Sequence, residues 1–335
     1  MSLKQEVLTI LERNKGDNIS GEDLARQLDV SRAAIWRAIK ELQSEGHEIS
    51  AATRVGYTLS ESSDILSAEG IRLYLNSISA DSIRCYPSLS STNRVAKQFA
   101  LDGAPHGTVV LAGEQTDGRG RNGRSFFSPP GTGIYMSIVL RPDLSSANAI
   151  LCTTATAVAV CRAIERVRGG QCGIKWVNDI YVDGHKVCGI LTEGISGFES
   201  GHIESLVVGI GVNYCTPREA FPPDLATIAG SLFEGEVPQG VSRNRLVAEI
   251  INEMMDISKQ LSGRSFLQEY RARSVVIGKP VQVIQGNETY KAVAEEIDDN
   301  GALWVKNEQG ETKVLNSGEI TLRPVEGSTW ANPTV

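Results

Sequence analysis

The sequence predicts an α+β fold in three successive units, on three observations. Residues 1–62 hold three short runs of helical periodicity and close on a small hairpin. Residues 63–273 join strands by hairpins as often as by helices, which argues for a mixed sheet and against a doubly wound parallel one. Residues 274–325 hold five short strands punctuated by Gly286-Asn287, Asn300-Gly301, Gln309-Gly310 and Ser317-Gly318, the pattern of a small barrel. Residues 326–335 are polar and expected to be a disordered tail. A chain of 335 residues exceeds one ordinary domain, in keeping with that division.

Composition narrows the class. With 41% hydrophobic and 22% charged residues the chain has the balance of an ordinary globular protein. Its net charge of −7 excludes a polycation, so any nucleic-acid contact has to come from a local patch. Cys85, Cys152, Cys161, Cys172, Cys188 and Cys215 are scattered without a C-x-x-C pair, and His47, His106, His185 and His202 form no ligand cluster. No zinc site is expected. The opening residues lack a signal-peptide pattern and the apolar runs are short, so the expected setting is cytoplasmic, with free thiols and no membrane partner.

In the first unit, Leu3, Val7, Leu8, Ile10 and Leu11 recur at helical spacing. Ser20-Gly21-Glu22-Asp23 has the form of a capping box ahead of Leu24 and Leu28. Ser31 is the expected N-cap of a third helix over 32–45. Ile35, Ile39 and Leu42 fall on one face of it, with Ala33, Trp36, Arg37 and Lys40 opposite. Gly46 ends the helix, and residues 47–59 form a hairpin with Thr53-Arg54 at its tip. Two helices on a tight turn followed by such a hairpin fit a winged helix-turn-helix. Ser31, Arg32, Ala33, Trp36, Arg37, Lys40 and Arg54 are the candidate DNA-binding set. A three-helix interaction module is the alternative. It is favoured by the eight Lys and Arg against nine Asp and Glu in residues 1–60.

In the second unit a helix is expected over 65–75. Ser90-Ser91-Thr92-Asn93 precedes a helix bearing Val95, Phe99 and Leu101. By itself the run reads first as an N-cap; the alternative is a seat for a polar ligand head. Residues 108–112 and 134–140 are strands, 148–167 a core helix, and 206–214 a strand thinned by Gly209 and Gly211, a pattern that marks close approach of a ligand. Two packing helices follow in 242–271.

The densest chemistry is Gly118-Arg119-Gly120-Arg121-Asn122-Gly123-Arg124. Glycines let the backbone approach a ligand, and three arginines in six residues concentrate forked donors on it. Such a loop is either solvated or an anion clamp. It satisfies G-x-G-x-x-G, but Pro129-Pro130 forbids the helix that a dinucleotide fold requires next, and no Gly-Lys-Ser/Thr follows to make a P-loop. The hairpin 175–191 turns at Asp183-Gly184 and carries Lys175, Asn178, Asp179 and Lys186 among apolar residues. Buried lysines call for an anionic partner, and Asp179 is a candidate Mg²⁺ ligand beside phosphates. Solvated charges on an edge hairpin are the alternative.

The Gly-Arg-Gly-Arg-x-Gly-Arg loop running into Phe-Ser-Pro, with the Lys-Trp-x-Asn-Asp hairpin, resembles the biotin protein ligases, of the class that also represses the biotin operon. The resemblance spans about residues 3–323. It implies a class II synthetase-like central domain, an SH3-like C-terminal barrel, and two-step chemistry. Biotin and ATP give biotinyl-5'-AMP and pyrophosphate, and a lysine of a carboxylase's biotin carboxyl carrier domain then takes the biotin.

By resemblance, Ser91, Thr92, Asn93, Gln115, Arg119, Gly120, Arg121, Lys186, Gly189, Ile190 and Leu191 bind biotin. Arg121, Arg124, Lys175, Asn178 and Asn213 hold ATP, and Arg121, Lys175 and Lys186 are catalytic. ATP, Mg²⁺ and biotin are the implied cofactors and substrates, and operator DNA, the carrier domain and a second copy of the chain the implied partners. Asn122 stands where arginine is frequent and Val177 where proline is usual. A ligase with a vestigial DNA-binding unit, a sensing repressor without ligase activity, and lipoate transfer are the alternatives.

Overall fold

The computed structural model describes residues 1–52, 55–142, 149–196, 203–316 and 320–324. The tip residues Thr53 and Arg54, the Ser317-Gly318 turn and the tail from 326 lie outside the described residues.

The first unit comprises α1 (Leu3–Arg13), α2 (Gly21–Gln27), α3 (Arg32–Ser44), β1 (Ile49–Ala52) and β2 (Gly56–Leu59). Val7, Leu11, Leu24, Ile35, Ile39, Leu42 and Leu59 close its own core, as the periodicities predict. Ile19 and Tyr57 exchange two backbone hydrogen bonds (2.9 and 2.8 Å), which fasten the wing to the entrance of α2. The expected capping box is only half present. Ser20 Oγ accepts from Asp23 N at 3.0 Å, but the Asp23 carboxylate takes the Ser20 hydroxyl at 2.7 Å instead of reaching the backbone N–H. Aspartate is a methylene shorter than the glutamate or glutamine that completes such a box. A complete one stands at α1, where Ser2 N donates to Gln5 Oε1 (2.9 Å) and Gln5 N to Ser2 Oγ.

The helix expected over 65–75 shrinks to α4 (Ala68–Arg72), capped by Ser67. Tertiary partners hold the residues before it extended. Arg243 grips Asp64 through N and Nε at 2.9 Å each, and Asn244 donates to Ile65 O (2.9 Å) and accepts from Ser67 N (3.1 Å).

The central unit adds β3 (Ile83–Tyr86), α5 (Thr92–Leu101), β4 (Thr108–Ala112), β5 (Gly133–Leu140), α6 (Ala149–Arg168), β6 (Gly173–Lys175), β7 (Asp179–Val182), β8 (His185–Ser196), β9 (Ile203–Asn213), α7 (Arg243–Ser258) and α8 (Phe266–Ala272). Among the described residues its sheet has seven strands in the order β3-β4-β5-β9-β8-β7-β6. Among the described strands of this sheet only β3 and β4 pair in parallel, so the sheet is mixed. β3 is a short edge strand whose polar Arg84 hides it from a pattern search. α6, α7 and α8 pack with the sheet in one core, and Ala96 and Ala100 of α5 pack on Val110, Val139 and Val207 in another. The predicted Asp183-Gly184 turn forms with both residues at positive φ (50° and 79°), as a two-residue hairpin requires.

All five C-terminal strands form: β10 (Pro280–Gln285), β11 (Glu288–Ile297), β12 (Leu303–Asn307), β13 (Thr312–Leu315) and β14 (Ile320–Pro324). They make an antiparallel sheet in the order β13-β12-β11-β10-β14, and β13 and β14 do not pair among the described residues. The sheet shares the central core through Val281, Ala292, Leu303 and Val305. Trp176 Nε1 donates to Gly301 O (3.0 Å) to lock the junction. No helix among the described residues is long and apolar enough to cross a membrane.

Candidate functional site

One face of the central sheet carries a cleft of about 740 Å³, bounded by the Gly/Arg loop, the start of α5, β7, β8 and β9. Arg121, Arg124, Lys175, Lys186 and Arg323 line it against Asp179 and Asp224. An acidic chain thus concentrates positive charge in one cavity, the arrangement that gathers anions.

The floor overturns the simple capping reading. Ser91 stands at the N-cap of α5 but makes no side-chain cap bond. Gln115, from the strand end opposite, does the capping: its Oε1 accepts from Thr92 N at 2.8 Å. The three polar side chains are therefore released from local duty, and all are buried (2%, 3% and 5% exposed for Ser91, Thr92 and Asn93). Asn93 donates to Glu193 Oε2 (2.7 Å) and accepts from Ser137 Oγ (2.6 Å). Both arms of the amide serve the protein, so Asn93 braces the floor at a position where the resemblance implies a biotin contact.

Gly209 and Gly211 line the cleft, as the expectation of close approach by a ligand requires, and they also make room for protein side chains. A Cβ on Gly209 would lie 2.2 Å from Asn93 Oδ1, and one on Gly211 would lie 2.5 Å from Phe126 Cε1. The Phe126 ring covers β9 in edge contact with Tyr135 at 6.5 Å between centroids. Gly189, Ile190 and Leu191 line the cleft beside it as expected. Asn213 lines it too, but donates to Gly230 O at 3.0 Å and so pins the returning chain.

The Gly/Arg loop folds back as a small hairpin. Gly120 N donates to Arg124 O (2.7 Å) and Phe126 N to Gly118 O (2.8 Å). A tight turn at Arg121–Gly123 puts Asn122 at φ 57° and Gly123 at φ 70°. Asparagine tolerates that left-handed conformation better than arginine does, which gives the Asn122 departure a physical basis. Arg119 turns toward Asp117 at 3.3 Å. Arg121 donates to Asn178 Oδ1 at 3.0 Å, tying the loop to the β6–β7 turn, and Asn178 Nδ2 donates to Ile190 O at 2.9 Å. Burial draws the Arg121 pKa down, with Asp179 opposing. The Trp176–Val177 peptide in that turn is cis and Val177 is buried.

Lys186 Nζ stands 2.6 Å from Asp179 Oδ1, and Lys175 Nζ 3.9 Å from Oδ2. Burial works to raise the Asp179 pKa, but Lys186 and Lys175 hold it below the usual carboxylate value. Burial also lowers Lys175 to about 8, against the pull of Asp179. Two outcomes follow with opposite signs. Affinity for inorganic pyrophosphate is expected to fall as pH rises through about 8, and Lys175→Arg, always charged, to flatten that profile. Between about 8 and the unfolded value of 10.5 the unfolded chain binds the extra proton, so Lys175 makes stability rise with pH there. Calorimetric titration and thermal melts across pH 7–10 check both.

Sequence reasoning missed a further part of the lining. Phe221, Asp224, Leu225, Thr227, Ile228 and Ala229 line the cleft, with Lys186 N donating to Ile228 O (2.8 Å), and Phe127 meets Phe221 at 5.9 Å. The signal available was apolar Phe221 and Ile228 in a Pro-rich stretch without periodicity. Arg323, on the last described strand, also reaches the cleft. Remote in sequence, it carried no signal. Far from here, Ser31 caps α3 through Ala34 N (3.2 Å), and Arg32, Ala33, Trp36, Arg37 and Lys40 are all exposed on one face, with Trp36 54% exposed.

A winged unit joined to an anion-gathering cleft on a mixed sheet defines a DNA-binding protein with an enzyme-like core, and comparisons narrow the class. Residues 85–213 match the biotin/lipoate A/B protein ligase family, 4–58 an HTH domain, and 276–323 the biotin protein ligase C terminal domain. The bifunctional ligase/repressor BirA of Bacillus subtilis is 32% identical over 320 residues, 94% of this chain and 98% of that one. The biotin–[acetyl-CoA-carboxylase] ligase of Mycobacterium tuberculosis is 31% identical over 245 residues, 69% and 85% of the two chains. Among solved structures, the biotin protein ligase from Aquifex aeolicus in complex with biotin and ATP superposes with TM-score 0.61 at 25% identity, covering 72% of this chain and 98% of that one. The chain belongs to the biotin protein ligase family, alongside its bifunctional ligase/repressor members.

Proposed function

We propose that the protein activates biotin with ATP, forming biotinyl-5'-AMP and pyrophosphate, and transfers the biotin to a lysine of a carboxylase carrier domain. The observation that carries the reading is the cleft: polar Thr92 and Gln115 line the same cavity as Arg121, Lys175 and Lys186. Two anions, the biotin carboxylate and the α-phosphate, must meet for the first step. Lys186 and Arg121 offset their repulsion and the charge that develops as the carboxylate oxygen attacks phosphorus and pyrophosphate leaves. In the second step the acceptor amine attacks the activated carbonyl and AMP departs. Thr92 and Gln115 seat the biotin head with Ser91. Lys175, Arg124 and Arg323 face the phosphates, while Asn178 and Asn213 act through the segments they brace.

Magnesium travels with ATP and spreads phosphate charge when bound. Asp179 does not fit as its protein ligand. It faces two ammonium groups, and no cluster of three His, Cys, Asp or Glu occurs among the described residues.

The α3 face supports operator binding, and with it biotin-responsive repression as a homodimer. The reading keeps the unit boundaries 1–62, 63–273 and 274–325, a class II synthetase-like centre, an SH3-like curl of the C-terminal sheet, a cytoplasmic setting, and Arg54 as a wing contact. Incubation with ATP, Mg²⁺, biotin and a carrier domain is expected to give labelled acceptor and AMP; binding of biotin without AMP would instead indicate a sensor. Operator affinity is expected to rise with biotin plus ATP, and equal affinities would refute the coupling. Arg37→Ala is expected to weaken DNA binding at every sequence and reduce the salt slope by about one, read from filter binding across ionic strength.

A further inference from the structure

Asn178 Oδ1 takes the Arg121 guanidinium at 3.0 Å, and what holds Asn178 there lies partly outside its own hairpin. On one side it is paired to β8: its Nδ2 donates to Ile190 O at 2.9 Å, and Ile190 N donates to Asn178 O at 3.0 Å. A carbonyl only accepts, so the amide turns its NH₂ to Ile190 and leaves Oδ1 for Arg121. On the other side stands α8. Tyr270 Oη donates to Val177 O at 2.9 Å, and both residues are buried, at 0% and 1% exposed. Burial pushes the Tyr270 pKa well above its ordinary value, so the phenol remains a donor. The helix that carries it is a firm post. Arg273 at its C-cap binds Glu165 through Nη1 and Nη2 (2.5 and 2.9 Å) and Glu269 through Nε (2.8 Å). Arg273 O then accepts from Ile174 N (2.7 Å) and Ile174 O from Val275 N (3.0 Å), so the chain leaving α8 runs beside β6 one residue before Lys175.

We infer that Tyr270 is a positioning residue for adenylate formation and retention: by holding Val177 from behind the hairpin, it keeps Asn178 Oδ1 where the Arg121 guanidinium docks. Tyr270 does not line the cleft and supplies no atom to the reaction. Its hydroxyl acts on the short turn between β6 and β7, residues 176–178. Without that hydroxyl, Val177 O is a buried carbonyl short of a donor, and such a group draws in water or shifts to find a partner. Asn178 is the next residue along the same backbone, so the shift reaches the dock directly. Trp176, pinned at Gly301 O on the other side of Val177, cannot absorb it. A displacement of about 1 Å away from the chemistry is enough to cost up to about a hundredfold in rate. The loop that Arg121 fastens thus depends on the support behind its dock as well as on the dock.

This rests on the reading of the cleft as the site of biotin activation, and the experiment has one arm that depends on that reading and one that does not. The independent arm is limited trypsin digestion of the full ligand-free chain, since the loop offers Arg119, Arg121 and Arg124. In Tyr270→Phe, which keeps the ring, cleavage after Arg121 is expected to quicken about tenfold, while arginines outside the loop are cut at the wild-type rate. The dependent arm is release of the biotinyl-adenylate formed from biotin and ATP. It is expected to be about tenfold faster in Tyr270→Phe, with the biotin KM changed by less than about twofold. Asn178→Ala removes the dock itself and is expected to reproduce the faster loop cleavage and the faster release. Adding Tyr270→Phe to it is expected to alter neither by more than about twofold, although the melting temperature falls further. Loop cleavage unaltered in Tyr270→Phe, cleavage raised alike at every site, or equal effects of Tyr270→Phe with and without Asn178 would overturn the proposal and leave Tyr270 a packing residue. Failure of the wild type to form the adenylate would overturn the functional reading and the role in adenylation with it, while the cleavage arm would still decide whether Tyr270 holds the dock.

Discussion

Lys186→Ala is expected to slow biotin-dependent pyrophosphate release by about 10²–10³-fold, the range for removing one group aimed at developing charge in a dry site. The geometry adds a second consequence. Asp179 keeps only 15% of its side chain exposed, and Lys186 at 2.6 Å is its close partner; Lys175 stands off at 3.9 Å. Removing one member of a fully buried pair costs about 3–5 kcal/mol; with Lys186 29% exposed and Lys175 still beside the carboxylate, the cost here falls below that range. Lys186→Ala should therefore also lower the melting temperature and bring Asp179 back toward protonation. Adding Asp179→Asn is expected to restore much of the stability and none of the rate. Pyrophosphate release and thermal melts on the three variants check this. An unaltered rate in Lys186→Ala would remove the residue from the chemistry, and a recovered rate in the double variant would make its role structural.

Gly211→Ala is expected to dislodge the loop that covers the cleft. The added Cβ would fall 2.5, 2.6 and 3.0 Å from three atoms of the Phe126 ring. The ring cannot yield locally. It abuts Tyr135, and Phe126 N is bonded to Gly118 O at 2.8 Å, so displacing it pulls on the loop that carries Arg121. Overpacking of this kind costs about 1–3 kcal/mol. Here part of that cost falls on the closed loop, so retention of the biotinyl-adenylate is expected to shorten about tenfold, equivalent to about 1.4 kcal/mol. Phe126→Ala in the same chain relieves the clash and is expected to recover stability, giving a favourable coupling in the double-mutant cycle. Additive losses would mean that the glycine and the ring do not oppose each other. Both experiments read the same surface from two sides: the charge that the cleft collects and the loop that closes over it.

Much of this molecule is legible in its sequence because its signals are local. Ile35, Ile39 and Leu42 mark the buried face of α3 and leave Trp36, Arg37 and Lys40 outside, as found. Asp183-Gly184 specifies its own turn, since few other residues accept two successive positive φ values. The five C-terminal strands carry alternation and turn residues within their own lengths. The Pro129-Pro130 pair correctly forbade a helix after the Gly/Arg loop, which forms a hairpin with only a short turn.

The errors share one cause, which is a partner distant in the chain. α4 begins late because Arg243 and Asn244, nearly 180 residues away, hold Asp64, Ile65 and Ser67 extended. Ser91 does not cap its helix because Gln115 does. Gly209 and Gly211 line the cleft as read, but they also accommodate Asn93 and Phe126, which no reading of β9 by itself reveals.

What the sequence by itself determined is which residue types are present for the chemistry and which elements carry them, since periodicity and turn chemistry act over a few residues. Only the tertiary structure decided who partners whom. It put Asp179 between two lysines, which makes it a clamp for ammonium groups and a poor metal ligand. It brought Arg323 and residues 221–229 to a cleft they do not border in sequence. And it set Glu193 behind Asn93, whose amide donates to that carboxylate at 2.7 Å and accepts from Ser137 at 2.6 Å. Partial charges and protons are assigned by neighbours in space, and chain order does not record them.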